Sequence, residues 1–196
     1  MKQLKIFSFL LVIFLSGCSY LFAANATTNC QNGGNVCKVS AENIYFTYQK
    51  ASNPNELLIT LSAKTSGWVA VGFGATDDMK DADIIMGYIK QDKKDNKVVI
   101  SNEYGVSKWR HKSLSKLGAT SEVKVISGEY KDGWTTIQFT IPLKPKDTKY
   151  GKDFTTTNPK GENMSVILAY GSNDQKNFTK YHQYRAKGEM AKFVVK

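Results

Sequence analysis

The sequence predicts an all-β fold, an antiparallel β-sandwich of about nine to eleven strands. Short β-rich runs recur from residue 43 to residue 195, each bounded by a turn signal. In "EVKVISGEY" and "WTTIQFTIPL", Val123 and Val125, then Ile137, Phe139 and Ile141, alternate at period two. That is the pattern of a strand with one face buried. No segment shows a convincing long helical period. A hydrophobic fraction of 41%, with ten Tyr, ten Phe and three Trp, is enough to fill a core. A length of 196 residues suits one domain or at most two. Nothing in the composition suggests collagen, a coiled coil or a repeat array.

The elements follow in order. "IYFTY" (44–48) is β-rich, and "ASNPNE" turns the chain into "LLITLSA" (57–63). After "TSG" comes "WVAVGF" (68–73), and then the polar loop "GATDDMKDAD". "IIMGYI" (84–89), the turn "QDKKDNK" and "VVISNEY" (98–104) make a hairpin. "KWRHKSLSKLGA" (108–119) reads either as a basic loop or as a helical turn. The strands at 122–130 and 134–143 flank a turn at Lys131 to Gly133, and Pro142 and Pro145 end the second. Residues 144–162 read as loop, "MSVILAYG" (164–171) as a buried strand, and residues 191–195 as the final strand.

The N-terminus is a targeting segment. Lys2 and Lys5 precede the apolar stretch "IFSFLLVIFL", which has signal-peptide length and is short for a membrane span. "LSGC" (15–18) has the form of a bacterial lipobox, which predicts a signal peptide over 1–17 and lipid on Cys18. The alternative is cleavage after Ala26 in "ANA". Either places the domain outside the cytoplasm, as a periplasmic or membrane-anchored lipoprotein or as a secreted protein. Residues 18–39 then read as an N-terminal linker. In an oxidising compartment its two cysteines, Cys30 and Cys37 around the turn-forming "QNGGNV", form a disulfide. No C-x-x-C-H motif for covalent haem attachment is present.

The formal charge of +10 becomes +8 once residues 1–17, with Lys2 and Lys5 and no acid, are set aside. Such a domain attracts acidic partners or anionic surfaces, although many exported proteins are basic without one. No nucleic-acid recognition motif accompanies the charge. Signatures of hydrolases, zinc proteases, phosphate-binding loops and dinucleotide folds are missing. The cluster Asp77, Asp78, Asp81 and Asp83 reads as turn chemistry rather than as a catalytic carboxylate pair. Of the two histidines, His111 lies among charges in "KWRHK" and reads as a surface residue. His182 lies between Tyr181 and Tyr184, where an imidazole is either packed structurally or used as a metal ligand. Met79 stands alone among charges, where a thioether gains little from water. Met86 and Met164 lie inside strands and read as core.

Four segments together resemble the DOMON domain family: "GWVAVGFGATDDMKDADIIMGYI" (67–89), "WTTIQFTIPL", "ILAYG", and "YHQYRAKGEMAKFVV" with its His182, Arg185 and Gly188. They fall in the family's order over residues 40–196. The resemblance implies an immunoglobulin-like β-sandwich. In the haem-binding subset, similar to the cytochrome domain of cellobiose dehydrogenase, it implies a haem b held between Met79 and His182 as axial ligands. Phe73, Tyr170, Phe178, Tyr181 and Tyr184 are the candidate pocket lining, and Lys180 or Arg185 the candidate propionate partner. Two strong axial ligands leave no open iron position, so the chemistry is single-electron transfer rather than oxygen activation. No flavin domain is fused to the chain, so the redox partner is a separate protein. The competing expectation is a non-catalytic module that binds carbohydrate or another small ligand, with Trp109 and Trp134 as stacking platforms.

Overall fold

The computed structural model describes residues 23–31, 36–92 and 96–194. Residues 1–17, expected to be a signal peptide, and Cys18, expected to carry lipid, lie outside the described residues. Fifteen strands are present in chain order: β1 (Ala24–Asn25), β2 (Thr27–Gln31), β3 (Val36–Ala41), β4 (Ile44–Lys50), β5 (Glu56–Ala63), β6 (Val69–Phe73), β7 (Asp83–Lys90), β8 (Lys97–Ser107), β9 (Arg110–Ser113), β10 (Lys124–Lys131), β11 (Trp134–Pro142), β12 (Thr155–Thr156), β13 (Asn163–Tyr170), β14 (Tyr184–Ala191) and β15 (Phe193–Val194). One 3₁₀ turn, Leu114–Leu117, follows β9, and there is no α-helix among the described residues. The count exceeds the expected range because β1, β12 and β15 are two-residue pieces.

Two sheets face each other. One runs β1-β14-β13-β6-β7-β8-β9 and the other β10-β11-β5-β4-β3-β2, with β12 and β15 as a separate pair. Pairing is antiparallel except for β1 with β14 and β12 with β15. The fold is therefore the β-sandwich that the alternating runs imply.

Two stretches differ from expectation. Residues 24–31 and 36–39, within the expected linker 18–39, form β1, β2 and most of β3, because in β3 Cys37 and Val39 alternate with Lys38 and Ser40 and bury one face. The Cys30–Cys37 disulfide joins directly opposed residues of β2 and β3. Asn25 pairs with Lys187, and the Ala26 N–H donates to the Lys187 carbonyl, so a chain cut after Ala26 would lack β1. The long C-terminal strand is β14 rather than residues 191–195. It was hidden because its buried positions, Ala186 and Met190, alternate with Arg185, Lys187 and Glu189.

The core lies between the sheets. Phe46, Ile59, Leu61, Ile137 and Phe139 meet Val69, Val71, Phe73, Ile85, Val166 and Leu168, all essentially inaccessible to solvent. Phe73 is its pivot, edge-on to Phe46 at 5.9 Å and to Phe154 at 5.1 Å between ring centroids. These are favoured aromatic geometries.

A second apolar layer covers the outer face of the seven-stranded sheet. It is made of Trp68, Ala70, Ala82, Ile84 and Met86, with Met79, Ile167, Ala169 and Phe178 packed against it. Alternate residues of β6 serve the two layers, which is why "WVAVGF" is apolar without a break. Phe73→Ala removes a ring from the inner layer. It should cost about 3–5 kcal/mol, seen as a lower denaturant midpoint with an unchanged slope.

Candidate functional site

The outer layer is not a closed surface. It forms the floor of a cleft of about 960 Å³, part of it open to solvent. Ala70 and Gly72 of β6, Ile84 and Met86 of β7, and Ile167 and Ala169 of β13 make the floor, with Trp68 and Phe178 among the lining aromatics. Three of these floor residues are small, and Gly72 sits where two larger ones converge. A Cβ there would lie 2.7 Å from Ile167 Cγ1 and 3.1 Å from Ile84 Cγ1, so glycine lets these two side chains close over β6 and level the floor.

Residues 74–82 form one wall. Gly74, Asp78 and Asp81 all have positive φ. Aspartate tolerates that conformation better than most residues, which accounts for two of the loop's acids. The loop is fastened to β8 through its backbone. Asp81 N–H donates to the Gly105 carbonyl at 2.8 Å, Gly105 N–H to Ala82 at 2.9 Å, and Met79 N–H to Lys108 at 3.4 Å. A Cβ at Gly105 would lie 1.6 Å from the Met79 carbonyl oxygen, so only glycine permits this contact. Thr76 and Tyr104 donate to the Asp81 carboxylate and hold the loop's far side. Asp83 faces away from the cleft. Burial raises its carboxyl to about 6, against an opposing hydrogen bond from Asn102.

Asp78 ties this wall to the opposite one. Its carboxylate is 2.5 Å from Lys187 Nζ, 3.6 Å from Lys108 Nζ and 4.0 Å from an Arg185 nitrogen. The hydrogen bond from Lys187 chiefly holds its carboxyl below the ordinary range, against the effect of burial and with help from the other two cations. Lys108 is also 3.2 Å from Asp77, so three cations against two carboxylates leave a small excess of positive charge at the edge of the cleft.

His182 enters from the other side, at the end of residues 172–183. Its neighbour Gln183 donates its N–H to the Tyr170 carbonyl, and Gln175 Nε2 donates to the Tyr181 carbonyl. Burial first, and then the Arg185 cation, lowers the pKa of the imidazole, which favours the neutral, ligating form. The Tyr181 ring lies 4.3 Å from the His182 ring and is 73% exposed. Met79 is fastened to β8 and His182 leads into β14. The floor strands β13, β6 and β7 lie between them.

His111 also lines the cleft. It is no loop residue, because β8 continues to Ser107 and turns back as β9. His111 Nδ1 is 2.9 Å from Glu103 Oε2, and Ser101 donates to Glu103 Oε1 at 2.6 Å. Burial works against the Glu103 charge, but these hydrogen bonds outweigh it and lower the carboxyl pKa.

Of the residues expected at a site, Met79, His182, Tyr181 and Arg185 line this one cleft, together with Phe178 and Lys180. Phe73 and Tyr170 do not, because each follows a cleft-facing residue, Gly72 and Ala169, and so points to the core. Tyr170 stacks there on Tyr184 at 5.4 Å. Trp109 stands 63% exposed at the cleft, whereas Trp134 packs on Tyr45 in the other sheet. Sequence reasoning missed Gly105, Asp78 and His111. A strand glycine signals close backbone approach, so Gly105 carried a readable hint. Nothing local marks Asp78 or His111, whose partners are distant in sequence.

Fold and site together define a β-sandwich protein whose ligand cleft lies on the outer face of one sheet. The DOMON domain model matches residues 40–171, more than half of the chain, and the chain belongs to the DOMON family. The cytochrome domain of Myriococcum thermophilum cellobiose dehydrogenase superposes with a TM-score of 0.56 at 12% identity, over 87% of this chain and 88% of that one. The cytochrome b domain of pyranose dehydrogenase from Coprinopsis cinerea gives 0.52 at 12% identity, over 85% and 81%. No curated protein sequence matches the chain.

Two measurements check the wall. Gly105→Ala should destabilise the protein by about 1–3 kcal/mol in denaturant melts, because the added methyl must displace the Met79 loop. For Asp78 the folded carboxyl pKa is depressed, so its stabilising effect is whole above the unfolded value of about 4 and is lost as pH falls through the lower folded value. The stability gap between wild type and Asp78→Asn should therefore be constant near neutrality and close in acid.

Proposed function

We propose that this chain is an exported b-type haem protein that passes single electrons and is not a catalyst in its own right. One observation carries the reading: Met79 and His182 line a single apolar cleft from opposite edges of a three-strand floor. The site fits the group. The apolar floor of Ala70, Ile84, Met86, Ile167 and Ala169 suits a flat apolar ring, and a thioether with a neutral imidazole is a recognised ligand pair for its iron. The two structural neighbours are themselves cytochrome domains, which supports the same reading.

Haem bound there supplies a one-electron iron couple. Met79 and His182 would hold its iron, and the Met79 thioether would favour a higher potential than a second imidazole. Burial keeps His182 unprotonated and ready to ligate. Arg185 is placed to meet a propionate, in competition with Asp78. Tyr181 covers the His182 side. The redox partner is a separate protein, and local cations with a formal net charge of +8 once residues 1–17 are set aside suit an acidic one. The signal-peptide pattern over 1–17 and the lipobox cysteine Cys18 support export and attachment to a membrane by lipid.

The second reading, a carbohydrate-binding module, has one observation in its favour: Trp109 is exposed beside the cleft. Titration with haemin separates the two. The cytochrome reading expects uptake of one equivalent with a sharp low-spin spectrum, and weaker binding with an altered spectrum in His182→Ala. A wild-type protein that takes up no haem, yet binds sugars on a glycan array, overturns it in favour of the module.

A further inference from the structure

We propose that His111 is a second iron-ligating side chain, placed on the same side of the cleft as Met79 and able to take Met79's axial position. The inference rests on the haem reading above and concerns which side chains that cleft offers to the iron.

The first argument is how His111 is held. Its Nδ1 is paired with the Glu103 carboxylate at 2.9 Å, and the other Glu103 oxygen accepts from Ser101 at 2.6 Å. The side chains of His111 and Glu103 are only 18% and 10% exposed. In the neutral imidazole with Nδ1 donating to this carboxylate, Nε2 carries the lone pair. Histidines that bind metals are characteristically held in this way, their tautomer and ring orientation fixed by a carboxylate on the other nitrogen. A solvated surface histidine needs no such support. Among the described residues, no carboxylate forms an ion pair with His182, so the fixed-tautomer arrangement belongs to the histidine that was expected on the surface.

The second argument is position. In the β8–β9 ladder His111 stands directly opposite Gly105. Directly opposed residues project to the same face of a sheet. Gly105 is also the residue against which the Met79 carbonyl packs, with no room for a Cβ. The strand carrying His111 is thus one ladder step from the Met79 backbone, with no side chain at the intervening position. Met79 and His111 approach from one side of the floor, and His182 from the other.

The cleft therefore holds two ligand pairs, Met79 with His182 and His111 with His182. They differ in consequence, because a thioether ligand raises the reduction potential relative to a second imidazole. The fastening of the Met79 loop at Gly105 and Asp78 decides between them, since it holds the thioether in place.

Full-length protein reconstituted with haemin tests this, using Met79→Ala, His111→Ala and the double variant. Met79→Ala should lose the methionine–iron charge-transfer band of the ferric wild type but stay low-spin, with a bis-imidazole spectrum and a lower potential. His111→Ala should keep the wild-type spectrum. The double variant should turn high-spin, and added imidazole should restore low spin, which shows that its cleft is intact. If Met79→Ala is already high-spin like the double variant while the wild type shows the methionine band, this inference fails and the haem reading stands. If the wild type takes up no haem, both fail.

Discussion

The structure depends on burial of both faces of the seven-stranded sheet. An antiparallel sheet in a sandwich commonly leaves its outer face to water. Here Val69, Val71 and Phe73 fill the space between the sheets, while Trp68, Ala70 and Gly72 of the same segment look outward into a second apolar layer. With its inner side covered by the second sheet, this sheet offers an apolar outer face as the floor of the cleft. The loops that cover it, residues 74–82 and 172–183, carry Asp78, Met79 and His182, while the strands β9 and β14 add His111, Arg185 and Lys187.

Those loops need fastening, and two kinds of interaction provide it. Backbone hydrogen bonds to Gly105 and Lys108 set the position of the Met79 wall with short-range geometry. Asp78 then spans the cleft to Lys187 and Arg185 on β14 with charge. The first is insensitive to salt and pH. The second is partly exposed on the lysine side and weakens as ionic strength rises. The wall is therefore fixed at its base and electrostatically adjustable at its rim, where a ligand carboxylate would compete with Asp78 for the same cations.

Much of this was legible from residues alone. The period-two alternation of Ile137, Phe139 and Ile141 identified half-buried strands, and the four ordered segments pointed to the DOMON family that the domain match then established. The isolated Met79 and the flanked His182 were singled out by chemistry, and they line one cleft. Phe73 and Tyr170 were misplaced for a local reason. Proximity in sequence to a ligand segment says nothing about which face of the pleat a side chain takes, and a one-residue difference reverses it. The strand β14 was obscured because its outward positions carry charges that belong to the cleft edge. His111 and Asp78 were illegible for another reason. Their roles come from Glu103, Lys187 and Arg185, and only the fold brings those groups to them.

The pleat also explains why core and site cannot vary independently. Gly72 and Phe73 are neighbours, one letting Ile167 and Ile84 close over the floor and the other anchoring the core. Ala169 and Tyr170 repeat the arrangement one strand over. A larger side chain at Gly72 must push Ile167 or Ile84, and Ile167 and Ile84 sit one residue from core positions Leu168 and Ile85. A packed interior transmits such a push rather than absorbing it. The small residues of the floor are therefore constrained from above by the volume of the cleft and from below by the packing of the sandwich. By contrast, the rim residues Tyr181, Lys180 and Trp109 touch only solvent and loop. The pleat thus assigns the depth and shape of the cleft to the strands and leaves its rim to side chains that can change without disturbing the core.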